Sequence, residues 1–191
     1  QKLNYKIAIA HCNFQLRGNE SDRDQKFIKF YALENKIPLF EVVFDTKKFA
    51  FEQKFSTQIA ARELRYNWFY ELLATENYDY ILTAHQADDT LETFLINFTR
   101  GTGLDGLIGI PAINDKTIRP LLPFSREDIE NYANENQIKW REDSSNVSDN
   151  YLRNKIRHHL VPVFKELNPN FLNSFQETSK RLFQTKSLVD D

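Results

Sequence analysis

Residues 81–110 read ILTAHQADDTLETFLINFTRGTGLDGLIGI. Tyr80, Ile81 and Leu82 have the composition of a strand end, and from about Ala87 the apolar residues Leu91, Phe94, Leu95 and Phe98 recur at helical spacing. Residues 83–86 are then the turn between strand and helix. The first helical turn lies at the carboxyl edge of a sheet, where unpaired amides and the helix dipole favour anions and where open α/β sheets place their ligands. Asp88, Asp89 and Glu92 fall in or just after this turn. At 3.6 residues per turn Asp88 and Glu92 lie only about 40° apart around the axis, so the spacing lets them share one cation. His85 reaches the same space from the turn. An isolated Asp-Asp-x-x-Glu is often no more than a complement to the helix dipole. Here it is followed by Arg100, Gly101, Thr102, Gly103, Gly106 and Gly109, which include four of the chain's five glycines. One glycine past a helix is a stop signal, whereas four ask for positive φ or close backbone approach.

Strand and helix signals alternate on either side. Residues 6–10 and 39–44 read as strands, 21–35 as a helix with Phe27, Ile28, Tyr31 and Leu33 inward, and 78–82 as a third strand. Ser56 caps a helix that buries Ile59, Ala60, Leu64, Trp68, Leu72 and Leu73 and ends near Asn77. This order predicts an α/β fold, an open, mostly parallel, doubly wound sheet. After Ile110 the character changes. Residues 118–123 form an extended link, Ser125 opens a helix to about Glu135, 142–146 form a polar loop, 151–160 a basic helix stopped near Pro162, and 170–188 a final, more exposed helix. The expected division is an α/β core over 1–112 and a helical continuation over 113–191.

With 41% hydrophobic and 14% aromatic residues, the 191-residue chain buries a real core. Its one cysteine, Cys12, excludes a disulfide framework, a four-cysteine zinc site or a protein-bound iron–sulfur cluster within these residues, and its apolar neighbours predict a small buried hydrophobe. There is no apolar run of membrane-spanning length and no secretory signal, which predicts a cytoplasmic protein. A net charge of −2 means that any nucleic-acid contact must come from a local patch.

Five strings in order resemble the catalytic domain of bacterial tRNA(Ile)-lysidine synthetases: AHCNFQLRGNESDRD (10–24), AARELRYNWF (60–69), TAHQADDTLET (83–93), RGTGLDGLIGI (100–110) and NYLRNKIRHHLVP (150–162). The resemblance implies a Rossmann-like, adenine nucleotide alpha hydrolase-like fold. It also implies ATP and Mg²⁺ as cofactors, and free L-lysine and a tRNA(Ile) with a CAU anticodon as partners, with a homodimer among the assemblies it allows. The implied chemistry adenylates C2 of the wobble cytidine, releases pyrophosphate, and lets the lysine amine displace AMP. Carried over residue by residue, His85, Asp88, Asp89, Glu92, Arg65 and Arg157 are the catalytic set, with Asp88 and Asp89 as Mg²⁺ ligands. Arg62, Arg100, Gly101, Thr102 and Gly103 are expected to bind the nucleotide. Arg153, Asn154 and Arg157 are expected to face tRNA, with His158 and His159 extending that basic face.

Two departures accompany the match. No Ser-Gly-Gly-x-Asp-Ser phosphate loop occurs in the 191 residues. The first strand, loop and helix of the family are therefore expected upstream of Gln1, and its C-terminal domains beyond Asp191. A chain without that loop's amide cradle is expected to bind ATP poorly. Gln86 stands where many relatives have a second histidine, which removes a titratable group from that position. Three other readings compete: a tRNA thiolation enzyme of the same superfamily, against which the single cysteine argues; a non-catalytic RNA- or nucleotide-binding remnant; and an ATP-using synthetase on small acids, which has no need of the Arg153–Arg157 basic face.

Overall fold

The computed structural model describes residues 5–143, 149 and 151–190. The chain divides into two compact units, 1–81 and 82–191. The change in sequence character near residue 112 thus falls inside the second unit.

In the first unit β1 (Ile9–Asn13) pairs in parallel with β2 (Leu39–Val43), in the register Ile9 opposite Leu39 through Asn13 opposite Val43. Parallel strands need a crossover, which α1 (Asn19–Glu34) supplies. The strand expected over 6–10 lies three residues later, because the ladder begins only where Ile9 N–H donates to Pro38 O at 2.9 Å. Two inward assignments are corrected. Leu33 is exposed, and Ala32, one position before it, is the buried residue of that turn; Ile59 is exposed, while Ala60 and Ala61 take the buried face of the next helix. The sequence reading also passed over α2 (Thr46–Gln53), whose N-terminus is capped by Asp45, the carboxylate accepting from Lys48 N–H. Next comes α3 (Thr57–Glu76), capped at Ser56, whose hydroxyl accepts from Ile59 N–H, and closed by Asn77 at φ 59°.

β3 (Ile81–Leu82) leads into the second unit and α4 (Ala87–Arg100), which begins where the apolar spacing places it. Gly101 at φ 71° ends α4, and α5 (Leu104–Leu107) follows. A small hairpin, β4 (Ile113–Asn114) and β5 (Thr117–Ile118), antiparallel about Asp115 at φ 50°, precedes the link expected to be extended over 118–123, which instead turns over 120–123. The hairpin adds to β3 in the order β3-β5-β4. Next is α6 (Arg126–Glu135), with Ser125 capping as its sequence announces.

The basic stretch is more elaborate than a single stopped helix. α7 (Leu152–Lys155) opens into a π turn over Ile156–Leu160, which runs directly into α8 (Val161–Leu167). Pro162 therefore does not stop the helix. A proline costs the bond that its N–H would make one turn back and clashes with that carbonyl. Here it sits in the first turn of α8, just after a turn that has already left α-helical register. The last helix is α9 (Phe171–Asp190).

The core of this unit is helical: Leu91, Leu95, Ile156, Val161 and Phe175 are buried together, with Phe94, Leu160, Phe164 and Phe171 against them. The exit from α4 is fastened to the same core. Asn97 donates to Gly106 O, and Ser179 on α9 donates to Ile108 O. Gly109 has φ 78°, and a Cβ there would lie 2.4 Å from Thr90 Cγ2. One of the four clustered glycines thus serves close packing of the backbone on α4. Gly109→Ala is expected to destabilise the unit by about 2–3 kcal/mol, from left-handed backbone cost plus overpacking. A urea midpoint equal to wild type would refute it. Among the described residues no helix is long and apolar enough to cross a membrane.

Candidate active site

The site grows from the turn before α4. Thr83 N–H donates to Ile118 O at 3.0 Å, which fixes the end of β3, and the His85 Nδ1 lies 2.9 Å from Thr83 Oγ1. Ala87 N–H donates to Phe124 O, so the starts of α4 and α6 are tied together. The two aspartates act first as caps. Asp89 Oδ2 accepts from Gln86 N–H at 3.0 Å, and Asp88 Oδ2 accepts from Arg126 N–H, the first amide of α6, at 2.8 Å. The bland reading of these residues is therefore realised in part.

Glu92 is different. It is 1% exposed, and Arg157 grips it with both arms of the guanidinium, Nε to Oε1 at 2.6 Å and Nη2 to Oε2 at 3.0 Å. Arg157 Nη2 also lies 3.8 Å from Asp89 Oδ1. Arg153 Nε is 3.7 Å from Glu92 Oε2, and its Nη2 donates to Thr93 Oγ1 at 2.9 Å. The face of α4 carrying Asp89, Glu92 and Thr93 is thus laid against the arginines of α7 and the π turn. Burial pushes the Glu92 carboxyl up, against the pull of the Arg157 guanidinium, while the hydrogen bonds that Arg157 donates to Glu92 hold the guanidinium firmly charged. Such a pair has specific geometry because its partners are planar and bidentate.

Asp88 and Glu92 do not share a cation. Asp88 Oδ1 faces Lys165 of α8 at 3.4 Å, whereas Glu92 faces the arginines. Both oxygens of Asp88 and of Asp89 are matched to protein donors. Among the described residues no group of three or more His, Cys, Asp or Glu is arranged to hold a metal ion. A Mg²⁺ ion on these aspartates would have to take the place of Lys165 or of the Arg157 contact.

The other expected residues are placed as follows. Arg100, Gly101, Thr102 and Gly103 lie at the far end of α4, about 18 Å along its axis from Asp88, and are not brought to the carboxylates. Asn154 is buried, 8% exposed, and does not present a surface to tRNA as expected. His158 Nδ1 and His159 Nε2 converge on the two oxygens of Asp149, at 2.7 and 2.6 Å. Of the polar loop expected over 142–146, residues 144–146 lie outside the described residues. In the first unit Arg62 lies over the Tyr66 ring at 4.8 Å and Arg65 over Phe14 at 5.3 Å. Burial pushes the Cys12 thiol up to about 11, with Arg65 pulling the other way, so this thiol is an inert one, as its apolar strand implies. The sequence reading missed Arg126 and Lys165. Arg126 carries a local signal, its i, i+4 pairing with Glu130 at 2.6 Å; Lys165 reaches Asp88 only through the tertiary fold.

Against known protein families, residues 1–164 match the PP-loop domain. The chain belongs to the PP-loop family. This PP-loop chain is 43% identical over 183 residues to a tRNA(Ile)-lysidine synthase of Porphyromonas gingivalis, a match that covers 95% of the chain and 40% of the relative. It is 44% identical over 178 residues to the one of Bacteroides thetaiotaomicron, covering 93% and 42%, and 36% identical over 187 residues to the one of Petrotoga mobilis, covering 98% and 60%. The PP-loop chain thus spans about two fifths of the length of the first two relatives. Its fold is similar to that of the U34-tRNA thiolase NcsA from Methanococcus maripaludis, solved with its 4Fe-4S cluster, with a TM-score of 0.69 at 15% identity over 92% of this chain and 60% of that one. The Rossmann-like α/β class read from the alternation of strands and helices is therefore the fold of this PP-loop chain.

Proposed function

We propose that the protein carrying this PP-loop domain is a tRNA-modifying ligase that joins lysine to C2 of the wobble cytidine in a tRNA(Ile) with a CAU anticodon, consuming ATP. The observation that carries this reading is the meeting of Asp89 and Glu92 with Arg157 at the start of α4, in a chain 43% identical to a protein named for that reaction. The cytidine oxygen at C2 attacks the α-phosphorus of ATP and pyrophosphate leaves; the amine of lysine then forms the C–N bond at C2 as AMP departs. Asp88, Asp89 and Glu92 together supply the negative charge that orients an ammonium. Arg157 supplies positive charge for the departing phosphate. The proton that the amine must lose passes to Glu92, whose carboxyl burial holds above the usual range.

Arg62 and Arg65 serve the nucleotide in this reading, and Arg153 a tRNA phosphate. Arg100 to Gly103, at the opposite end of α4, serve a more distant part of the same large substrate. His85, held at Thr83 Oγ1 in the turn before α4, adds a titratable group to this reading. Mg²⁺ accompanies the ATP phosphates, and no step is assigned to it at Asp88 or Asp89.

A sulfur-transferring reading gains no support from these residues, since one cysteine with a raised pKa cannot supply a cluster's thiolates. The test is to incubate the full-length protein with ATP, labelled L-lysine and tRNA(Ile) transcripts bearing cytidine or uridine at the wobble position. Label is expected in the cytidine transcript alone, with AMP released in equal amount. No incorporation, or equal labelling of both transcripts, would sink the proposal.

A further inference from the structure

Around the start of α4 side-chain cations are set against carboxylates one for one. Glu92 faces Arg157 and Arg153, Asp89 shares Arg157, and Asp88 faces Lys165. Among the described residues these three carboxylates meet three cations, which leaves them no surplus negative charge with which to draw in another. A cationic substrate can bind here only if a resident cation leaves. Arg157 is the worst candidate, being held by two short bonds to a buried acid and only 24% exposed. Lys165 is the best. It touches Asp88 through a single 3.4 Å contact, and its side chain is 44% exposed. Exposed ion pairs of that kind are weak.

The chemical identity of the departing group matters. What rests on Asp88 is a primary ammonium at the end of a flexible four-carbon stem, the group that free lysine also carries. Asp88 is prepared for an exchange of ammonium groups, because its other oxygen stays fixed by Arg126 N–H at 2.8 Å whichever cation sits on the first. We propose that Lys165 is a resident stand-in for the substrate ammonium: it neutralises Asp88 in the absence of lysine and yields that carboxylate to the incoming amine. The inference rests on the lysine-ligating reading of the site and adds a device that sets its affinity for lysine. A site whose competent form is only part-populated binds more weakly by that fraction. The stand-in thus trades lysine affinity for a carboxylate that is never left uncompensated.

The experiment uses the full-length protein with saturating ATP and tRNA. Lys165→Met keeps the apolar stem and removes the charge. It is expected to lower the KM for lysine about two- to fivefold, the scale on which an exposed ion pair competes, with the KM for ATP as in wild type. Calorimetric titration with L-lysine should show Kd falling by the same factor. Lys165→Arg, which offers Asp88 a stronger fork, should raise the KM for lysine. A lysine constant unchanged or raised in Lys165→Met overturns the proposal, as does a parallel change in the ATP constant, which would mark Lys165 as a structural contact. Failure of the ligase reading has a different signature: wild-type protein that incorporates no lysine removes both.

Discussion

Glu92→Gln in the full-length protein is expected to lower lysidine formation by about two orders of magnitude or more and to lower the thermal midpoint of the domain as well. The activity loss has the scale of removing one charge-stabilising group from a preorganised site. The stability loss follows from burial. Taking one partner from a buried ion pair costs about 3–5 kcal/mol because the other charge is left uncompensated, but Arg157 is 24% exposed and water reaches it in part, so about 2–3 kcal/mol is expected here. For a domain of this size that is a shift of roughly 5–10 °C. The two losses separate in the double variant Glu92→Gln, Arg157→Met. Replacing both charges removes the stranded guanidinium and should restore most of the thermal midpoint, whereas activity should stay at the level of the worse single variant. Wild-type melting and wild-type turnover in Glu92→Gln would reduce Glu92 to a dipole complement.

That Glu92 is interior was the part of the site hardest to read from the chain. The string Asp-Asp-x-x-Glu announces a helix start, and Ala87 does open α4. A helical wheel puts Glu92 near Asp88, and the wheel is right about the angle. It says nothing about what lies opposite. Asp88 meets α6 and α8, while Glu92 meets the π turn, and neither neighbour is local in sequence. Local signals were otherwise reliable where the physics is local. Ser56 and Ser125 cap the helices they precede, and Gly101 ends α4. The errors lie where a local rule met a tertiary exception. Pro162 reads as a stop, yet the π turn before it makes room. Asn154 reads as part of a basic face, yet it is buried among the helices. The glycine cluster asks for positive φ or close approach, and Gly109 shows both, at φ 78° against Thr90. The hairpin about Asp115 went unread because strands of two residues are too short to show alternation.

Arg153 and Arg157 lie one helical turn apart and reach the same carboxylate, but their substitution is expected to give different kinetic signatures. Arg157 spends both arms on Glu92 and sits close to Asp89. Arg153 is 41% exposed, approaches Glu92 only to 3.7 Å and holds Thr93 with one nitrogen, so it is the arginine with reach to spare for an outside phosphate. Arginine–phosphate contacts add sequence-independent affinity that weakens as salt rises, with a slope of about 0.7–0.9 per contact in log K against log salt. Arg153→Ala should therefore raise the KM for tRNA and flatten its salt dependence by about one contact, with kcat and the KM for ATP nearly unchanged. Arg157→Ala should lower kcat by about two to three orders of magnitude, since it removes the charge assigned to the departing phosphate and also strands Glu92. Arg157→Lys should recover part of the stability but little of the rate, because an ammonium cannot grip both carboxylate oxygens as a fork does. Steady-state kinetics at two salt concentrations decides between the assignments: if both alanine variants change only the constant for ATP, the arginines of α7 and the π turn form a nucleotide site and the tRNA contact lies elsewhere.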